Sequence, residues 1–349
     1  MTNRIDILEE EILKLDFEVM ERLLWDHSRP TYKGEDSKEH HHHIYWATDN
    51  YETRGEGFQF FDEIQISSVT GKNRQLVRPR AAKSKAEQEK RTKEKAEVFT
   101  PSWVCNAQNN LVDEAWFGRK NVFNEEYVSP DGKHLWKPTT DKITFPEGKT
   151  WEDYVWDKRL EMACGEAPYL VSRYDTTTGE PIDDLSMRIG LLDRKLRVVG
   201  ENVQTSADWL HWGKCALKSV YGFEWQGDNI LLAREAILYT MKEYYEDFSR
   251  TVLGKEQTLR IDTFQTYAYI ISWNIFQMDG IESCLPMSGC KQDLAKKQQT
   301  TSLFDFDETP TQAVAIPPIE RQKVYAKVAD WKKDGEANRG VIEFRRLKN

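Results

Sequence analysis

The stretch Arg159-Leu-Glu-Met-Ala-Cys-Gly-Glu-Ala-Pro-Tyr-Leu-Val-Ser-Arg-Tyr-Asp175 constrains the fold of this chain more than any other. Its pattern predicts the end of a buried strand, a small-residue turn at Cys164-Gly165, and a second apolar segment opening a helix. A doubly wound α/β sheet presents nucleotide-like ligands at such a place, where a strand ends and a crossover begins. Two later segments share the outline. Lys218-Ser-Val-Tyr-Gly-Phe-Glu224 reads as a short strand ending in an acid, and the helical run Asn229–Met241 follows it. Tyr267–Met278 is a further apolar segment, ending at Asp279.

Composition narrows the class. The 349 residues are 39% hydrophobic and 31% charged, enough for one large core or a core with a small lobe. No run of uncharged apolar residues is long enough for a membrane span. The first residues lack the apolar centre of a signal peptide, so a cytoplasmic protein is expected. Five cysteines, with no CxxC pair, fit free thiols rather than a disulfide framework or a zinc site. Twelve tryptophans supply core, or flat faces for base stacking.

The net charge of −9 argues against a whole-surface nucleic-acid binder, but the charge is uneven. Between Lys72 and Lys95, ten Lys and Arg residues, among them Arg78, Arg80, Lys83, Lys85 and Arg91, face only Glu87, Glu89 and Glu94. That stripe reads either as a phosphate contact or as a solvated helix with Glu-Lys pairs.

Three units are expected. Residues 1–96 form an amphipathic N-terminal helix over 5–26, then a small mixed lobe with short strands across 44–80, and 81–97 read as a solvent-exposed helix or a mobile segment that orders on a ligand. Within the lobe, His40-His41-His42-His43 reads as an exposed loop, with an adventitious metal site as the alternative. Residues 97–290 carry the sheet, with a helix opened by Pro101, loops over 119–150 and an insertion over 175–215. Residues 291–349 hold a polar linker and the closing strands, the first of them at Val324–Trp331.

Several segments together resemble a known family. Val98-Phe-Thr-Pro-Ser-Trp-Val resembles motif X of S-adenosylmethionine (SAM)-dependent adenine-N6 DNA methyltransferases. Leu160-Glu-Met-Ala-Cys-Gly-Glu-Ala-Pro-Tyr-Leu is similar to their motif I, Tyr221-Gly-Phe-Glu-Trp to motif II and Asn274-Ile-Phe-Gln-Met-Asp-Gly to motif III. The closer resemblance, across roughly residues 44–345, is to methylase (M) subunits of bacterial restriction–modification systems. It implies a doubly wound, Rossmann-like SAM-methyltransferase sheet that binds SAM and DNA.

On that resemblance, Phe99, Thr100 and Pro101 line the methionine end of SAM. Glu161, Cys164 and Gly165 form its turn, Glu224 takes the ribose with Trp225 beside it, and Asp279 meets the adenine. The other reading of Glu224 and Asp279 is as ordinary strand-terminal acids, and of Cys164 as a packed small residue. Two departures stand out. Ala167 replaces the second glycine of motif I, with the acid Glu166 before it. The Asn/Asp-Pro-Pro-Tyr/Phe loop that receives the flipped base is missing, and Pro317-Pro318 lacks its acceptor and its aromatic.

Asp330-Trp331 is the best positional substitute for that loop, an acceptor followed by a ring after a strand. The expected function is a DNA adenine-N6 methyltransferase or its cofactor-binding subunit in a restriction–modification or phage-defence system. A restriction, specificity or second methylase subunit would be its partner. The alternative is a catalytically inactive, methyltransferase-like protein that binds DNA or a partner. Asp330-Trp331 separates the two, since it should face the cofactor methyl only in an enzyme.

Overall fold

The computed structural model of the chain describes residues 7–95, 100–289, 323–331 and 340–347, side chains 90, 91 and 93–95 excepted. The N-terminal helix is split into α1 (Glu9–Leu15) and α2 (Phe17–Leu24). Asp16 causes the break: its backbone is extended, and its carboxylate accepts from the Val19 amide as an N-cap. The buried Val19, Met20, Leu23 and Leu24 give α2 its core face.

Four two-residue strands follow: β1 (Trp25–Asp26), β2 (Tyr32–Lys33), β3 (Glu39–His40) and β4 (His42–His43). β1 pairs with β4 and β2 with β3, both antiparallel. The histidine run is therefore packed rather than loose. His41 stacks on Trp25, His42 meets Glu63, and the buried His43 contacts Glu21 and the Ile64 carbonyl. Among the described residues no group of three His, Cys, Asp or Glu side chains could hold a metal.

The short strands expected across 44–80 are replaced by turns and by the single turn of α3 (Ile66–Val69), leaving only a Tyr45–Glu63 bridge. Gly55 and Gly57 hold positive φ, and the Asp62 carboxylate closes a turn on the Gln59 amide, which diverts the backbone from a ladder. The basic helix forms as α4 (Lys85–Lys95).

α5 (Ser102–Phe117) starts after Pro101 and ends on the left-handed Gly118. The segment expected to be loops contains a hairpin, β5 (Asn124–Val128) and β6 (His134–Pro138), turned through Pro130-Asp131-Gly132. Thr150 and Asp153 form a capping box on α6 (Trp151–Trp156).

β7 (Arg159–Met162) opens the central sheet. Residues 175–215 are not an insertion: they include α7 (Leu191–Asn202) and α8 (Ser206–Lys218), the crossover to β8 (Val220–Glu224). α9 (Gly227–Thr251) and α10 (Ile261–Asn274) make the next crossover, to β9 (Ile275–Gln277). The order is β7-β8-β9, parallel throughout, with Gly222 opposite both Glu161 and Ile275.

On one face of the sheet, Arg234 of α9 is fully buried and donates to the carbonyls of Leu23, Trp25, Ser272 and Ile275. This single guanidinium ties α2, α10 and β9 together. The other face carries the antiparallel hairpin β10 (Lys327–Asp330) and β11 (Gly340–Glu343). The Tyr221 hydroxyl donates to the Ala329 carbonyl, and Phe344 packs on Phe223 and Phe276. The molecule is thus mixed α/β, and its parallel sheet has three strands among the described residues. One core runs from Ile7 to Phe344. Among the described residues no helix is long and apolar enough to cross a membrane. The polar linker expected over 291–312 lies outside the described residues.

Candidate functional site

Three strand ends meet at the C-terminal edge of the parallel sheet. After β7 the chain turns through Ala163, Gly165 and Ala167, all with positive φ. Left-handed backbone costs an L-residue about 1–2 kcal/mol, so two alanines there mark a turn held by its surroundings. The Cys164 amide donates to Phe223 O, and the Glu161 carboxylate accepts from the Tyr169 and Leu170 amides. These bonds close residues 161–170 into a compact turn, so the helix expected after Gly165 does not form.

Glu224 reaches across from β8. Its Oε2 accepts from the Gly165 amide at 3.0 Å, and its Oε1 from the Trp225 and Gln226 amides at 2.8 and 3.2 Å. Asp279 lies two residues beyond Gln277, the β9 residue opposite Glu224. Its Oδ1 accepts from the Ile281 and Glu282 amides and closes its own turn. The Met278 amide donates to Glu224 O, which locks the two strand ends together. Gly165, Glu224 and Asp279 therefore share one end of one sheet.

Burial sets the electrostatics. It pushes the Glu161 carboxyl up to about 8, although two amides favour the charged form and Glu224 adds repulsion. Glu224 is raised by burial as well, against its three amide donors. Burial lifts the Cys164 thiol well above its ordinary value, with Glu161 and Glu224 adding to the shift, which favours the packed, neutral thiol.

The segment resembling motif X is adjacent. Thr176 donates its hydroxyl to Thr100 O, and the Ser102 amide donates to Asp175 Oδ2. Burial opposes ionisation of Asp175, yet the Thr177 hydroxyl and the Ser102 and Thr178 amides hold it down at about 2. Pro101 is the N-cap residue of α5, and Phe99 lies outside the described residues. Trp225, next to Glu224 in the chain, is partly buried with Tyr45 and Met287 against a small apolar cluster of Ala47, Phe60 and Phe61.

Long-range contacts invisible in the sequence complete this end. Glu166 turns away from the strand end: it accepts from the Arg80 amide at 2.6 Å and from the Tyr174 hydroxyl at 2.6 Å. Gln277 clamps the N-terminal region down, accepting from Tyr45 N and donating to Tyr45 O and Trp225 O. Gly227 lets that region pass, since a Cβ there would stand 2.0 Å from Tyr45 O. The contacts with Arg80 and Tyr45 join residues 86 to 232 apart in the chain.

Asp330 and Trp331 are not brought to this end. Asp330 pairs with Lys158, just before β7, at 2.7 Å. The buried Trp331 indole donates to Asn274 Oδ1, and Asn274 Nδ2 donates to Leu217 O and to Val220 O at the start of β8. Both residues sit where the strands begin, a strand length of about 13 Å from Glu224. The hairpin docks on the face of the sheet instead of continuing it, which puts Asp330-Trp331 at the opposite end of the strands from Gly165, Glu224 and Asp279.

The basic stripe divides. Lys83 is 8% exposed, and the Arg80 guanidinium contacts the Thr92 hydroxyl. Arg78 is half-buried, 3.6 Å from Glu87, and Lys85 is exposed. The Arg91 side chain lies outside the described residues. No family model, curated protein or solved structure matches this chain.

Proposed function

We propose that this chain is a SAM-binding, methyltransferase-like subunit that engages DNA in a restriction–modification or related phage-defence system. On this reading its three parallel strands are half of a doubly wound cofactor sheet. The observation that carries it is the Gly165 amide on the Glu224 carboxylate, across the C-terminal ends of neighbouring parallel strands, with Asp279 next in line. Doubly wound sheets hold nucleosides at such an edge.

The residues fit the group. A carboxylate offers about four acceptor sites, and three amides occupy Glu224. Ribose hydroxyls would use the remaining site and exchange with the Gly165 amide. The Trp225 cluster would offer an apolar face to adenine, with Asp279 at the end of the neighbouring strand. Thr100 and Pro101 would flank the methionine end. When bound, SAM supplies an activated methyl group. Glu224, Trp225, Asp279, Thr100 and Pro101 would bind and orient it.

The position of Asp330 and Trp331 favours the binding reading over self-sufficient catalysis. Methylation of adenine N6, where it occurs, needs acceptors and a stacking ring from elsewhere, most simply from a partner subunit. The test is calorimetric titration of the purified protein with SAM, followed by transfer of labelled methyl to duplex DNA with and without the product of a neighbouring gene. SAM uptake, with transfer only in the presence of the partner, is expected. Absence of SAM uptake would overturn the cofactor reading, and strong transfer by the chain alone would overturn the partner requirement.

A further inference from the structure

A cavity of about 350 Å³ lies outside the cofactor end, between the turn at residues 50–54, the loop at 72–78 and the start of α4. Its charged lining is Arg54, Lys72, Arg74, Arg78 and Lys83, against the single carboxylate of Glu87. Five cations converging on one hollow raise the local potential far above that of a protein with a net charge of −9. The stripe in the sequence does not contain Arg54, which the fold brings in from the lobe, while Arg80 and Lys85 do not line the hollow.

A second observation concerns hydrogen bonding. Asn50 Nδ2 and Arg78 Nε both belong to residues lining the cavity, both are shielded from water, and neither has an acceptor among the described residues. Buried donors without acceptors are costly and rare. They lie behind a hollow lined by arginine and lysine donors, which a ligand that only accepts would satisfy. Phosphate oxygens do so, with charge-assisted bonds to arginine.

The cavity also has a place in the fold. The Tyr51 hydroxyl donates to Asp228 in the first turn of α9, just past Glu224. Arg80, two residues beyond Arg78, is held on Glu166 in the turn after β7. Two walls are thus fastened to the C-terminal edge of the sheet. We propose that this cavity is a phosphate-binding site, filled by a backbone phosphate of duplex DNA running past that edge. The DNA source rests on the proposed function; the phosphate chemistry does not.

The test measures anisotropy of a short labelled duplex across a range of salt for the wild-type chain, for Arg54→Ala with Arg74→Ala, and for Lys85→Ala. Arg54, Arg74 and Lys85 are exposed, so the variants should fold. The double variant should lose affinity on the order of tenfold and flatten the salt slope by about one to two, with Lys85→Ala close to wild type. Wild-type affinity and slope in the double variant would overturn the site. Calorimetry with pyrophosphate separates the sources. Uptake that the double variant abolishes, without duplex binding, keeps the phosphate site and overturns the DNA source; no uptake of either ligand overturns the site. Duplex binding without SAM binding supports the cavity and removes only the cofactor reading.

Discussion

The two ends of the parallel sheet are built from the same strands and do different work. Where the strands begin, side chains tie the chain to itself. Asn274 bridges Leu217, Val220 and Trp331. The fully buried Lys195 donates to Val155 O, Asp157 O and Ser219 Oγ, and burial holds its pKa well below the ordinary value. Where the strands end, Glu161, Glu224 and Asp279 accept from backbone amides of turns. Amides at loop ends can exchange partners with a ligand, whereas interlocked side chains in a core cannot do so without loss of packing.

The largest effect expected is on stability, at the beginning of the strands. Trp331→Ala should cost about 3–5 kcal/mol in urea unfolding, since it removes a buried ring and strands Asn274 Oδ1. Affinity for SAM in the folded fraction should stay unchanged. A loss of SAM affinity with full stability would return Trp331 to the cofactor end.

Next comes pH. Glu161 titrates near 8 in the fold against 4.5 in an unfolded chain, so between those values the folded state binds more protons. Stability should therefore fall as pH rises from about 4.5 to 8, by up to about 1.4 kcal/mol per pH unit from this group, and level off above. Glu224, raised in the same direction, adds to the trend. Thermal melts of Glu161→Gln across that window should show a shallower slope; an unchanged slope assigns the trend to other groups.

At the same end, Glu224→Ala should weaken SAM binding by roughly 1–3 kcal/mol in calorimetry, the loss of charge-assisted hydrogen bonds. Equal affinity in the variant and the wild type would leave Glu224 as a strand-terminal acid that only latches the Gly165 amide. The smallest effect is expected at the turn itself. Ala167→Gly relieves a left-handed alanine and deletes a buried methyl, two opposing contributions of about 1 kcal/mol each. Its unfolding midpoint should stay close to that of the wild type, and a large loss would show that Ala167 is set by packing.

Local chemistry was legible where it needed no distant partner. Pro101 opening a helix, the apolar run of α9, the exposed basic helix and the strand ending at Glu224 follow from residues adjacent in the chain, whereas the apolar segment Tyr267–Met278 is mostly α10, with strand only at Ile275–Gln277. The failures share a cause. Leu170 and Val171 look like a helix start, but Glu161 captures the amides at 169 and 170 and holds them in a turn. The histidine run looks like a polar loop, but Trp25, Glu63 and Glu21 receive it in short strands.

The sequence by itself determined the strand ending at Glu224, the long helix after it and the acids near the strand ends, because periodicity and turn chemistry act over a few residues. Only the tertiary structure decided which end of the sheet a residue serves. Asp330-Trp331 follows a strand, as an acceptor loop should, yet its hairpin lies across a face of the sheet beside Lys158 and Asn274. Arg54 joins Arg74 and Arg78 around one cavity for the same reason. Burial and convergence are properties of contacts between distant parts of the chain, and no local pattern encodes them.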